Sequence, residues 1–500
     1  GAGAAGLASA RRLREEGHEA VVLERTDAVG GLWEVGARPG GVLYEGLVTN
    51  LPKEVMAFHD YAFPESLPSF VRAEDMGAYL NSFADEFGLR STVRLGCEVL
   101  SVEPGSAADE ASAPGAPAWR VRWADHAAGA EEEATFDAVV VANGHYEAPQ
   151  TPPLPGLTDF EKGGGRVEHA KDYTSPKPYA GKTVLIVGAR ASGTDIAREV
   201  ATVAERVVVC DKACAASLER FPSTTAKAGA VWRRPRLRAL DGEGRAHFEA
   251  VEGKPSPSAV AADAAAGGGA DEATERPDVV VMCTGYDYWL PFFKAEVARA
   301  LQLTSTRRRV HPLYLQLFCA TAPSIALVGV PHSVVPFPLF DVQARLVARV
   351  LASHPGAQGA LGASEAERLE WVRQLYERQG RPEDSHHLGD MQWDYCRDLA
   401  RRGGFLDATL EGKLRACEAL YKDAQARRPP YPGADDVYRR NNYTVLAASA
   451  AGGVARARVS FPDGTHELVE WYAADAEEGS EVAADEQHQD QCGGTSLSRG

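Results

Sequence analysis

Gly1-Ala2-Gly3-Ala4-Ala5-Gly6 opens the chain, and Gly188-Ala189-Arg190-Ala191-Ser192-Gly193 repeats the pattern further along. Each reads as a glycine-rich turn between a strand and a helix. In such a turn the first glycine permits the tight bend, the second lets the backbone approach a pyrophosphate, and the third lets helix and strand pack closely. The helix N-terminus adds free N–H groups and the positive end of its dipole. One such turn carries little weight. Two on one polypeptide imply two dinucleotides held facing each other.

Around the first turn the context is in register. Leu7-Ala8-Ser9-Ala10-Arg11-Arg12-Leu13 continues as a helix that ends near Gly17, and Val21-Val22-Leu23 reads as the next strand. Glu24 closes that strand, near the offset expected of an acid that binds ribose hydroxyls. The chain begins on Gly1, without methionine or the apolar strand that normally precedes such a turn. The expectation is a clipped first domain with weakened nucleotide binding. The second turn follows Thr183-Val184-Leu185-Ile186-Val187 and opens a helix near Ser192. Arg190 stands where a middle glycine is usual, so an ordinary strand–helix turn remains open as a reading of that segment alone. A flavin and a nicotinamide are the pair that needs two opposed cradles, because a hydride must pass between them.

The bulk numbers narrow the class. Five hundred residues exceed what one core serves, so two or more domains are expected. A net charge of −17 disfavours nucleic acid and anionic membranes as partners. Eight cysteines, at 97, 210, 214, 283, 319, 396, 417 and 492, include no C-x-x-C pair, which argues against zinc and for a reducing compartment. No apolar run approaches the roughly 18 residues of a membrane span. A cytoplasmic location is expected, with organelle targeting left open because the chain begins inside the first turn.

Short β-branched runs alternate with helical patterns along residues 76–352, which predicts α/β domains with parallel sheets. Residues 105–117, 253–274 and 473–500 have the composition of poorly ordered insertions or a tail. Residues 364–426 read as helical. The predicted fold class is α/β: two Rossmann-like dinucleotide domains, the flavin domain interrupted by the nicotinamide domain, plus a helical C-terminal extension. The boundaries are 1–175 for the first part of the flavin domain, 176–290 for the nicotinamide domain and 291–352 for the flavin-domain return. Residues 353–472 form the extension and 473–500 the disordered tail.

Five stretches in this order resemble the flavin-containing monooxygenases (class B flavoproteins), in particular their plant and algal S-oxygenating, glucosinolate S-oxygenase-like branch. The first is Glu24 followed by Gly30-Gly31-Leu32-Trp33. The second is Thr49-Asn50-Leu51-Pro52-Lys53-Glu54, with Asp60-Tyr61-Ala62-Phe63-Pro64 downstream. The third is Gly165 to Tyr173 with His169 between, similar to the family fingerprint, although Gly163 replaces its leading aromatic and Thr174 a following basic residue. Tyr173 stands where Baeyer–Villiger relatives usually have tryptophan. The fourth is Gly188 to Asp195, where plant members also carry a bulky residue before Ala-Ser-Gly, and the fifth is Cys283-Thr284-Gly285-Tyr286. Val342-Gln343-Ala344-Arg345 resembles a flavin-contacting element, and His386-His387-Leu388-Gly389-Asp390-Met391-Gln392-Trp393-Asp394-Tyr395 is a weaker echo.

The resemblance implies FAD reduced by NADPH and a C4a-hydroperoxyflavin that passes one oxygen atom from O2 to a soft nucleophile, a thioether sulfur or an amine nitrogen. It implies cofactor contacts at Gly1, Gly3, Gly6, Glu24, Gly31, Leu32, Trp33, Thr49, Asn50, Leu51 and Val99. In the second cradle and beyond, it implies them at Gly188, Ser192, Gly193, Thr194, Asp195 and Gln343. Asn50 is the candidate for a direct role, since an uncharged amide can donate to a peroxide oxygen and accept from a carboxamide. From spacing alone Asn50 is a turn residue before Leu51-Pro52, Trp33 could be core, and Gln343 a surface amide. Lys53 and Glu54 could be a solvated pair. His169 is expected as a hinge residue rather than a base. After the strand 207–209, Asp211 would suit a free ribose hydroxyl and Lys212 a 2′-phosphate; the resemblance selects NADPH. No metal is expected, and a homodimer is left open. An N-hydroxylating enzyme and a non-catalytic flavin-fold relative are the alternatives. A disulfide reductase is discounted, because Cys210 and Cys214 have the wrong spacing for a redox pair.

Overall fold

The computed structural model describes residues 1–34, 43–105, 119–214, 216, 218–250, 275–305, 308–362, 364–429, 437–446 and 454–472. Thr183–Val187 lies inside a six-stranded sheet that also contains Glu219–Pro222, Ala230–Arg234, Arg206–Cys210, Val279–Met282 and Arg166–His169. All pairings in it are parallel except Glu219–Pro222 against Ala230–Arg234. Val184, Leu185 and Ile186 are buried on both faces of the sheet, which explains a strand with no polar alternation. The helix Ala191–Ala201 covers one face with Ile196, Ala197, Val200 and Ala201. This is the second dinucleotide domain. It contains the strand Arg166–His169, which the sequence-based boundary at 175 had left in the first.

The first domain is assembled from distant parts of the chain. Val22–Leu23 pairs in parallel with Val93–Arg94, and Val139–Val141 with Ile325–Leu327. These two parallel pairs lie in separate sheets. A three-stranded antiparallel sheet, Cys97–Pro104, Trp119–Asp125 and Ala130–Phe136, sits between them in sequence. The helix Ala4–Glu15 packs along Pro336–Leu351, so the chain returns to its own beginning after the second domain is complete. The contact is fastened by Arg12, whose Nε and Nη2 donate to the two carboxylate oxygens of Asp341 at 2.7 and 2.9 Å. His59 Nδ1 meets the same carboxylate at 3.2 Å. Asp341 is 1% exposed, and despite that burial the His59 hydrogen bond and the Arg12 charge hold its carboxyl well below the usual carboxylate range.

Two crossings join the domains. Ala148–Pro149 pairs antiparallel with Tyr286–Asp287, and Gln150 N–H donates to Gly285 O at 2.9 Å. His169 sits at this joint, with Nε2 on Gly285 O at 3.1 Å and Nδ1 accepting Lys171 N–H at 3.0 Å. Both ring nitrogens are spent on backbone.

The extension predicted over 353–472 is helical through Glu365–Gln379, Gln392–Arg402 and Ala408–Arg427. It then turns to an antiparallel sheet of Asn442–Leu446, Val454–Ser460 and His466–Tyr472, which is not helical as expected. The middle strand explains the change: Ala455, Ala457 and Val459 alternate inward, a period of two that no helix uses. Residues 106–117, 253–274 and 473–500, expected as insertions or tail, lie outside the described residues. Among the described residues no helix is long and apolar enough to cross a membrane.

Candidate active site

The two glycine turns share one construction. A Cβ on Gly6 would lie 1.8 Å from Gly1 O, and one on Gly193 would lie 1.9 Å from Gly188 O. A Cβ on Gly1 would meet Ala142 O at 2.6 Å, and one on Gly188 would meet Cys283 O at 2.4 Å. In both cradles, then, the third glycine is pressed on the first, and the first on a carbonyl that follows the neighbouring strand. Backbone blocks every one of these positions, so no side chain could be turned aside to make room. Both helices begin with no side-chain cap and no acid in the first turn. Their leading N–H groups remain available to an anion.

The cradles differ in the middle. Gly3 is covered by the Gly30-Gly31 turn: a Cβ on Gly31, whose φ is +59°, would come 2.7 Å from Gly3 Cα. Gly30 N–H donates to Ala2 O at 3.0 Å. Gly31 makes that approach only without a side chain, and Gly30, with φ +132°, holds a backbone conformation that favours glycine. Arg190, at the matching place in the second cradle, is exposed and lines the cleft.

Both cradles open into one cleft of about 2470 Å³. A site for one small molecule occupies about 300–1,000 Å³, so this cleft is larger than one such site. Gly1, Gly3, Gly6, Glu24, Gly31, Leu32, Trp33, Thr49, Asn50, Leu51 and Val99 line it from the first domain, and Gly188, Ser192, Gly193 and Asp195 from the second. Glu24 is 2% exposed; it accepts Ala2 N–H at 2.6 Å and Thr26 N–H at 2.9 Å. Thr26 Oγ1 also donates to it at 2.8 Å, so Glu24 ties the strand end to the cradle.

Asn50 is held by its neighbours. Thr49 Oγ1 donates to Leu51 O at 2.9 Å and accepts Val71 N–H at 3.1 Å, which pins the turn on both sides. The Asn50 amide has no hydrogen-bond partner among the described residues. Lys53 and Glu54 are not a solvated pair. Lys53 is 7% exposed and donates to Pro64 O at 2.9 Å and Leu67 O at 2.5 Å, stapling the following loop under the Asn50 turn.

Thr194 and Gln343 do not reach the cleft wall. Thr194 Oγ1 donates to Ala189 O at 3.1 Å and stiffens the second turn from inside. Gln343 is fully buried: Oε1 accepts Gly329 N–H at 2.9 Å, and Nε2 donates to Tyr395 OH at 2.8 Å. Asp195 lines the cleft, but its carboxylate is held by Arg198 at 2.9 Å, by Arg439 at 2.9 Å and, more loosely, by Tyr44 OH at 3.4 Å.

At the end of the strand Arg206–Cys210, Asp211 is committed to Arg233 at 2.5 Å and to Ala213 N–H at 3.0 Å. The charge that would favour a free ribose hydroxyl is thereby neutralised. Lys212 and Arg236 also line the cleft, two cations on the wall of the second domain. Arg233 and Arg236 were not found by sequence reasoning. Arg233 meets Asp211 only through the pairing of Ala230–Arg234 with Arg206–Cys210, and Arg236 follows in the next loop. The loop residues His332 and Ser333 also line the cleft without any local motif to announce them.

Comparison with known proteins agrees with this geometry. The flavin-binding monooxygenase-like (FMO-like) family matches residues 1–229. Flavin-containing monooxygenase FMO GS-OX-like 4 of Arabidopsis thaliana is 32% identical over 436 residues, covering 81% of this chain and 86% of the relative. The solved S-allyl-L-cysteine S-oxygenase from Allium sativum superposes with a TM-score of 0.70 at 30% identity, over 86% of this chain and 93% of that one. Tmm from Pelagibacter sp. strain HTCC7211 has a TM-score of 0.67 over 94% and 95% of the two chains; at 21% identity the likeness is one of fold.

Proposed function

Because the chain belongs to the FMO-like family of flavin-binding monooxygenases, an FAD- and NADPH-dependent group, we propose that it transfers one oxygen atom of O2 to a soft nucleophile, with a thioether sulfur as the first choice and an amine nitrogen as the second. The thioether is put first because the S-allyl-L-cysteine S-oxygenase is among the structures it resembles at 30% identity. The observation that carries the reading is the unpartnered amide of Asn50 on the wall of a cleft that both cradles share.

FAD would lie on the Gly1–Gly6 cradle with Glu24 at its ribose, and NADPH on the Gly188–Gly193 cradle with Lys212 and Arg236 at its 2′-phosphate. Bound flavin, once reduced by the nicotinamide, supplies the oxygen-activating chemistry. The chain's own task is to align, enclose and hydrogen-bond. Asn50 can donate to an oxygen acceptor and accept from a carboxamide N–H without bringing a charge or an acidic proton. The Thr49 bonds and the Lys53 staple fix the backbone turn that carries that amide. Enclosure excludes water, which would otherwise divert activated oxygen to hydrogen peroxide.

The test is NADPH consumption with a panel of methylthio compounds and tertiary amines, peroxide being measured in parallel. Sulfoxide formed in proportion to NADPH is the expected result, and Asn50→Ala should shift the balance to peroxide while still binding FAD. Peroxide alone for every compound would overturn the reading.

A further inference from the structure

The segment 386–395 lies outside both nucleotide domains, yet its atoms hold one wall of the cleft. Gly329, Pro331, His332, Ser333 and Val334 form that wall, in the loop that leads into the helix Pro336–Leu351. Each end of the loop is hydrogen-bonded to a buried glutamine. Gly329 N–H donates to Gln343, whose Nε2 donates to Tyr395 OH; that hydroxyl in turn donates to Leu315 O at 2.9 Å. Val335 N–H donates to Gln392 Oε1 at 2.6 Å. The middle is tied by backbone: His332 N–H to His386 O at 2.8 Å, Leu388 N–H to His332 O at 3.2 Å and Gly389 N–H to Ser333 O at 3.1 Å.

Two features say these contacts are not incidental packing. Ser333 has φ +59°, a left-handed conformation that a residue other than glycine keeps only where its surroundings over-determine it. Gln392 is 1% exposed and leaves Nε2 without a partner, a cost that an apolar residue of similar size would avoid. Its one clear contribution is the bond to Val335.

The wall spans both halves of the site. It feeds the helix that packs on the first cradle helix, and it faces Arg190 at the start of the second. His332 is close enough to Arg190 that this charge, after burial and His387, helps hold its imidazole down to about 4. The ring is therefore neutral at physiological pH. A displaced wall would change the spacing between the cradles, and hydride transfer requires reacting atoms about 3–3.5 Å apart.

We propose that Gln392 and Tyr395 are positioning residues: through Val335 and the Gln343–Gly329 relay they set the 329–335 wall, and with it the distance between flavin and nicotinamide. The proposal rests on the reading of the two cradles given above, and it is tested at a step that precedes oxygen transfer. Tyr395→Phe, Gln392→Leu and the control Trp393→Phe, on the same helix but not bonded to the loop, are titrated as apoproteins with FAD. Each is then reduced anaerobically with NADPH in a stopped-flow instrument. Expected are FAD affinities within threefold of wild type for all three, flavin reduction at saturating NADPH slowed about tenfold or more in the first two only, and unchanged reduction by dithionite. Gln392→Glu, which can still accept from Val335 N–H, should recover most of the rate. Reduction at the wild-type rate in Tyr395→Phe, or equal slowing in Trp393→Phe, would overturn the proposal. If Gln392→Leu does not fold, Tyr395→Phe decides alone. A wild-type protein that reduces normally but yields only peroxide would overturn the oxygen-transfer reading and leave this one standing.

Discussion

Replacing Gly193 by alanine isolates the second cradle. The new Cβ would start 1.9 Å from Gly188 O, 2.9 Å from Gly188 C and 3.3 Å from Cys283 Cβ. Contacts under 3.0 Å do not persist, so the helix Ala191–Ala201 must draw back from the turn by roughly 1 Å. Overpacking of this kind costs about 1–3 kcal/mol, and a misplacement near 1 Å in a reacting pair can cost about a hundredfold in rate. The first cradle is untouched, so FAD should remain bound and the protein yellow. The assay is anaerobic reduction of the bound flavin across a range of NADPH concentrations. The expected outcome is an apparent affinity weakened by about 10- to 100-fold, equivalent to about 1.4–2.8 kcal/mol. Gly6→Ala, blocked by Gly1 O at 1.8 Å, should instead lose FAD, whereas Gly3→Ala meets only Gly31 Cα at 3.4 Å and should be mild. A folded Gly193→Ala protein that is reduced by NADPH as readily as wild type would refute the reasoning.

Arg12→Met leaves the buried Asp341 carboxylate without its bidentate partner and should cost about 3–5 kcal/mol, read as a fall in melting temperature of roughly 5 °C; most of it should return in Arg12→Met/Asp341→Leu. A single variant that melts with wild type would show that His59 suffices. Lys212→Ala combined with Arg236→Ala should raise KM for NADPH at least tenfold and leave that for NADH nearly unchanged; parallel changes in both would remove the 2′-phosphate subsite. Stability should fall as the pH drops from 7 towards 4. Burial holds His386 down to about 3 and His332 down to about 4, so below about 6.5 the unfolded chain takes up protons that the folded one refuses. Asp341, depressed in the folded state, adds its loss only below about 4. Urea midpoints at pH 7, 6 and 5 measure this, and His386→Gln should flatten the slope; a wild-type midpoint that does not move over that range would contradict it.

The cradles could be read from the chain because their requirement is local: a backbone that tolerates no Cβ at the first and last positions of each turn writes glycine into both. Glu24 was readable for the same reason, as the last residue of a short strand at a fixed offset. The Asn50 turn needed the family resemblance, since Thr49-Asn50-Leu51-Pro52 alone describes any turn. What escaped was set by distance in sequence. Lys53 looks solvated until the carbonyls of Pro64 and Leu67 close over it, and Asp211 looks free until the next strand brings Arg233 to it. Gln343 was read as a flavin contact, but the fold turns it inward to Gly329 and Tyr395. Arg166–His169 is an edge strand with Glu168 and Arg166 only partly covered, so it lacked the apolar run that marked its neighbours.

The Arg12–Asp341 ion pair joins positions on opposite sides of the second domain. During synthesis, the nicotinamide half is complete once Val279–Met282 has left the ribosome, whereas the flavin half must wait for the stretch beyond residue 336. Until then the apolar face of Ala4–Glu15 has no Pro336–Leu351 to pack on, and the nascent chain carries it exposed past a domain that has already folded. A stop codon placed between the two would release one finished nucleotide domain and one that never closes.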